Sequence, residues 1–305
     1  MLKKRYNTFT TIIVMAIIAA CVFGALYLIR HHYGFDVGYN IAIFVFVGIM
    51  LTIYTLSLTK WRDAIIVDQP SNYPPQGYDP IQTGCIIDGK VNDRDIVAAF
   101  FYLGVKGYVK YTEYELQRYK ITAIKYPQDE NDELKRLFSA IFGNEICSLI
   151  ISSDYTNELD IDRVTVNLSD AAPRLIEIIP GICERTFNKL SKKKNKEIAD
   201  LTGKVRGFRQ SIIDNKGDVV DSLVASDENY LFEIIPYAYQ FAVTAKVSSN
   251  FNNVNVKSPS WYLPHGVDLD YNFDILVYNS MLRNLPEELN RLVFENIAIR
   301  QKVGM

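Results

Sequence analysis

The sequence predicts a membrane-anchored α+β protein: a two-helix transmembrane hairpin, then a winged-helix-like domain, then a mainly helical C-terminal region. Three observations predict it. Two uncharged stretches lie near the N-terminus, 24 residues from Tyr6 to Ile29 and 23 from Val37 to Thr59. Two helical patterns and a pair of β-rich runs follow between residues 81 and 125. Beyond residue 144, helix starts and apolar helical spacing dominate. The 305 residues are 49% apolar and 22% charged, with 16 Gly and 11 Pro, which excludes a disordered or collagen-like chain. Four Cys exclude a disulfide scaffold, and a net charge of −2 argues against a general nucleic-acid binder.

At about 1.5 Å per residue each uncharged stretch reaches roughly 35 Å as a helix, enough to cross about 30 Å of hydrocarbon. Residues 30–36 make a short polar connection, so residues 1–60 read as a transmembrane helical hairpin. Lys3, Lys4 and Arg5 precede the first stretch, and Lys60 and Arg62 follow the second, against Arg30 alone in the loop. The positive-inside rule then places both termini in the cytoplasm, as in a multi-pass protein of the inner (cytoplasmic) membrane. Cys85, Cys147 and Cys183, an unpaired set, agree with a reducing compartment. Residues 18–21 resemble a lipoprotein processing site, but the chain stays apolar past Cys21, which favours the hairpin.

Residues 61–80 are a Pro-rich linker. Asp79-Pro80 is a helix start, and the helix it opens ends near Asp88-Gly89. Asn92 begins a second helix with Asp93 and Asp95 in its first turn, stopped at Lys106-Gly107. Tyr108–Tyr114 and Tyr119–Lys125 form a hairpin, and a helix over Asp129–Phe142 completes a winged-helix-like domain of residues 81–143. Residues 144–247 are mainly helical, apart from a short strand at Glu145–Ser153 and a break near Pro180-Gly181. A Pro-marked break is also expected at Pro236. Residues 248–272 are a loop, and residues 273–305 hold an amphipathic helix starting at Pro286 with Leu285, Leu289, Val293 and Ile297 on one face.

A winged helix invites a DNA-binding reading, and the residues argue against it. Ile96–Val105 contains no charge, whereas base and phosphate contacts need Arg, Lys, Asn or Gln. A helix apolar all round is buried within its own fold or by a partner, so Phe100, Phe101, Tyr102 and Leu103 are candidate protein-partner contacts. The stretch from Arg185 to Arg209 holds nine cations and two anions. In a membrane-tethered chain, Lys189, Lys192, Lys193, Lys194 and Lys196 are candidate contacts with anionic lipid, the alternative being a solvated face.

The words Tyr73-Pro-Pro-Gln-Gly-Tyr-Asp79, Gly89–Asp95, Leu103–Val109, Arg206-Gly-Phe-Arg209, Leu231–Tyr239 and Pro259-Ser-Trp-Tyr262 occur in that order. Together they resemble the bacterial YciQ-like family of predicted membrane proteins, a domain of unknown function. The resemblance covers roughly residues 40–263. It implies a membrane span followed by a cytoplasmic winged-helix-like region, and no catalytic residues. The secreted β-rich domain of that family is missing here, and the Lys-rich stretch stands where further membrane segments are usual.

No catalytic motif emerges. His265 sits in a Pro/Gly loop, no Cys pair has zinc spacing, and no Gly-rich phosphate loop occurs. Asp218/Asp221 and Asp268/Asp270 read as solvated carboxylates. The expectation is an interaction or scaffold module without a cofactor, partnered by membrane lipid and a protein, with no evident small-molecule substrate. A membrane-tethered DNA-binding regulator and an enzyme with an acidic site assembled by folding are the alternatives.

Overall fold

The computed structural model describes residues 27, 31–32, 66–152, 164–251, 258–267 and 275–303. The chain divides into two units, residues 2–65 and residues 66–305, and every element below belongs to the second. Its local signals are chemically explicit. Helix α1 (Pro80–Asp88) starts at a capping box: the Gln82 N–H donates to Asp79 Oδ1 at 2.8 Å, and the Asp79 N–H donates to Gln82 Oε1 at 3.3 Å. It ends at Gly89, whose φ of 72° is the left-handed conformation that glycine adopts without cost. Helix α2 (Asp93–Val105) is held at its start by Asp95, which accepts the Asn92 N–H at 2.7 Å.

Strands β1 (Val109–Glu115) and β2 (Arg118–Ala123) pair antiparallel, with Tyr111 opposite Ile121. In β1, Val109, Tyr111 and Glu113 alternate inward, so a carboxylate occupies the third core-facing position. Strand β3 (Thr165–Asn167) pairs antiparallel with β2, and β4 (Tyr262–Leu263) pairs parallel with β1. The sheet order is β3-β2-β1-β4. Trp261 packs over Gly104 of α2, where an added Cβ would stand 2.5 Å from the indole.

The remaining elements are helical: α3 (Asp132–Ser152), α4 (Leu168–Ser191), α5 (Asn195–Asp214), α6 (Asp218–Ser226), α7 (Tyr230–Gln240) and α8 (Thr244–Asn250). The C-terminal helix runs as α9 (Ile275–Leu289), a π-helical turn at Asn290–Phe294, and α10 (Glu295–Val303). Helix α3 kinks at Gly143 (φ 77°), and Arg174 of α4 reaches the kink, donating to the carbonyls of Ala140 at 2.8 Å and Ile141 at 2.7 Å. A single apolar core joins α2, α7, both faces of the Gly143 kink, the sheet and the Leu285–Leu289–Val293 stripe.

The structure corrects several expectations. Among the described residues no helix is long and apolar enough to cross a membrane, which overturns the transmembrane hairpin and the multi-pass inner-membrane location. Helix α4, 24 residues long, carries Asp170, Arg174, Glu177, Glu184, Arg185 and Lys189 along its length, the pattern of an amphipathic helix rather than of a span. The two uncharged stretches themselves, Tyr27 apart, lie outside the described residues. The fold class is mostly helical with a small mixed four-stranded sheet. The hairpin is no free wing, because β3 and β4 occupy its two edges.

Glu145–Ser152 is helical rather than extended, since Cys147 and Ile150 repeat at helical spacing on the buried side beyond the kink. Neither Pro180 nor Pro236 breaks its helix. Pro180 lies on the exposed face of α4, where the carbonyl it leaves unpaired meets water. Pro286 falls inside α9 rather than at its start.

Candidate functional site

Helix α5 is built to be approached closely on one side. Gly203 and Gly207 lie under the segment of residues 67–69: an added Cβ would fall 2.0 Å from the Val67 carbonyl oxygen at one and 1.9 Å from the Gln69 carbonyl oxygen at the other. The Gln69 N–H donates to the Gly203 carbonyl at 3.0 Å, and its side chain donates to Asp200 at 2.8 Å. Phe208, buried against Tyr237 and Phe241, fixes the rotation of α5 against α7. That rotation aims Arg206 and Arg209 at the C-terminal end of α1 and the first turn of α2.

The result is a cavity of about 530 Å³ that Arg94, Arg206 and Arg209 line together. Its floor is polar, made by Asp95, Thr202 and Gln240, all buried. Asp88 lines one side, and Ile66, Ile87 and Phe241 supply apolar wall. Arg206 pairs with Asp68 at 3.7 Å, whereas among the described residues no ion pair within 4.0 Å forms at Arg94 or Arg209.

The floor is a fixed network. Gln240 donates through Nε2 to the Pro80 carbonyl at 2.7 Å and to Asp95 Oδ1 at 3.2 Å, and accepts the Thr83 hydroxyl at 2.9 Å. Gly84 is obligatory beneath it, since a Cβ there would lie 2.1 Å from Asp95 Oδ1. Burial pushes the Asp95 carboxyl up to about 7, and the nearby Asp88 carboxylate pushes the same way. Asp79, which caps α1 and accepts from Asn131 at the start of α3, is likewise raised by burial, to about 6.

A second buried polar cluster joins the sheet to α9. Glu113 Oε1 accepts from Asn284 Nδ2 at 2.9 Å and from the Gln117 N–H at 2.8 Å. Glu288 stands in the same region, 4% exposed, and its Oε2 has no hydrogen-bond partner. Burial raises its carboxyl to about 7, Arg291 and Arg118 oppose that, and Glu113 adds to it. The depression between α3 and α4, also about 530 Å³, is a weaker site for an anion because its Arg174 is committed to backbone carbonyls.

The residues singled out by sequence fall elsewhere. Phe100, Phe101 and Leu103 are wholly buried and Tyr102 is half-buried, donating to Glu130 at 3.0 Å, so this helix packs within its own fold. Lys189, Lys192, Lys194 and Lys196 are exposed around the α4–α5 turn, while Lys193 pairs with Glu197 and lies 6.0 Å over the Tyr78 ring. They form a largely exposed turn between the two helices.

Asp218 and Asp221 are exposed, as solvated carboxylates should be, and Asp268 and Asp270 lie outside the described residues. His265 contributes only its backbone N–H, donated to Glu113 at 3.4 Å. Cys85 is pushed up to about 12 and Cys183 to about 11, chiefly by burial, which keeps both as thiols. Among the described residues no group of three or more His, Cys, Asp or Glu could hold a metal ion.

The sequence reading missed the arginine cavity. Its one available signal was Arg206-Gly-Phe-Arg209, a small residue between cations at the end of the basic stretch. No protein-family model, curated protein or solved structure matches the chain, so nothing in these comparisons bears on the YciQ-like resemblance.

Proposed function

We propose that residues 66–305 act as a binding module that receives an anionic group in the arginine-lined cavity, rather than as a catalyst. One observation carries this reading: Arg94 from α2 and Arg206 and Arg209 from α5 converge on one cavity, and two of the three have no carboxylate partner among the described residues. Three guanidinium groups brought together repel one another, so an anion placed among them is attracted by all three and gains charge-assisted hydrogen bonds. The fixed floor of Asp95, Gln240 and Thr202 means the site need not reorganise to bind, which favours affinity.

A protein partner held through Phe100–Leu103 is not part of this proposal, because Phe100, Phe101 and Leu103 are interior and Tyr102 is half-buried. Groove binding to DNA lacks a free helix face for the same reason. The test is calorimetric titration of the full chain with inorganic phosphate and with acetate at low salt. Saturable binding that weakens as sodium chloride is raised, and that Arg209→Met reduces at least tenfold, supports the module. No saturable binding of either anion would overturn it.

A further inference from the structure

Resting on that reading, we infer that the occupant of the cavity is an apolar α-amino acid, its carboxylate held by the arginines and its ammonium group by Asp88 and Asp95. The cavity lining carries charges of both signs and an apolar wall. Arg94, Arg206 and Arg209 supply the cations. Asp88 and Asp95 supply the carboxylates, and the Asp88 charge disfavours ionisation of Asp95. A ligand cation between them would relieve that repulsion, as a carboxylate would relieve the repulsion among the arginines.

The acceptors have capacity to spare. Asp95 uses one oxygen for the Asn92 N–H at 2.7 Å and the other for Gln240 at 3.2 Å, and Asp88 accepts from Asn92 Nδ2 at 2.8 Å. An ionised carboxylate offers about four lone-pair sites, so each retains unused acceptor capacity. The Arg94 charge acts on the Asp95 carboxyl, so a guanidinium and a carboxylate of the lining are within electrostatic reach of each other, as are the two charged groups of an α-amino acid. A volume of about 530 Å³ lies inside the range of small-molecule sites. It leaves room for a branched aliphatic side chain against Ile66, Ile87 and Phe241.

The experiment compares L-leucine, its des-amino analogue 4-methylpentanoate and inorganic phosphate as ligands of the full chain by calorimetry. The inference expects L-leucine to bind at least tenfold more tightly than 4-methylpentanoate. Asp88→Asn, a change at an exposed position that leaves the fold intact, should cut that preference severalfold, and Asp95→Asn should cut it further while circular dichroism stays native. If 4-methylpentanoate binds as well as L-leucine, or phosphate binds and neither organic acid does, the amino-acid assignment fails and the anion-binding module stands. If none of the three binds, both fail together.

Discussion

Asn284 Nδ2 donates to Glu113 Oε1 across 2.9 Å, fastening the middle of α9 to the inward face of β1. Both side chains are buried, and the Gln117 N–H shares the same carboxylate oxygen at 2.8 Å. Removing Asn284 would leave a buried carboxylate short of its one strong side-chain donor. Asn284→Ala is therefore expected to destabilise the fold by about 2–3 kcal/mol, read as a lowered urea midpoint. Asn284→Leu should be no better, because the loss lies with Glu113 and not with the cavity.

Glu288 makes stability depend on pH. Its carboxyl is raised to about 7 in the fold, against an ordinary value near 4.3 in an unfolded chain. Between these values the native state holds the proton and the unfolded state does not, so stability falls as pH rises through that window. The groups facing it are Glu113, Arg118 and Arg291, with the Tyr119 hydroxyl. Asp95 and Asp79, raised to about 7 and about 6, act in the same direction. The melting temperature should drop between pH 5 and pH 8, and Glu288→Gln should remove part of that drop, on the order of 2 kcal/mol at the alkaline end. An unchanged pH profile in the variant would show that Glu288 titrates as an ordinary carboxyl.

Gly84 tolerates no side chain. A Cβ would press into the Asp95 carboxylate, which Gln240 and Asn92 hold in place on the far side. Gly84→Ala should cost roughly 1–3 kcal/mol in thermal unfolding and weaken anion binding as well, since Asp95 and Gln240 form the cavity floor. Gly107→Ala is the contrast: a Cβ there meets nothing within 4 Å, and only the left-handed φ of 69° resists it. Its cost should be about 1 kcal/mol, with binding intact.

Arg174→Ala should loosen the kink in α3. The guanidinium satisfies the Ala140 and Ile141 carbonyls, which Gly143 leaves exposed by turning the chain out of helical geometry. Hydrogen exchange of the amides from residue 144 to 152 is expected to quicken by tenfold or more, with those of β1 and β2 unchanged.

Much of the fold could be read from local chemistry. Asp79-Pro80 and Gly89 bracket α1, and Asn92 with Asp95 starts α2, because capping depends only on residues three or four apart. Glu113 was legible in principle as a charge at an inward position of an alternating strand. The two-residue strand β4 was not, since nothing near Trp261-Tyr262 encodes the β1 edge it joins. Proline misled at 180, 236 and 286, where burial of the neighbouring apolar residues outweighs the loss of one backbone bond. The arginine cavity depends on α1, α2, α5 and α7 meeting, so Arg94 and Arg209 carried no sign of their association in the sequence.

The parallel pairing of β4 with β1 sets Tyr262 against Tyr111, about 150 residues away along the chain. A ribosome would have released the hairpin long before its outer neighbour was made, leaving the β1 backbone unpaired on one side throughout. Such distant closure makes for slow, late-finishing assembly. During that interval the hairpin presents an edge that other nascent chains can join, so yield during synthesis should be limited by how soon the last third of the polypeptide arrives.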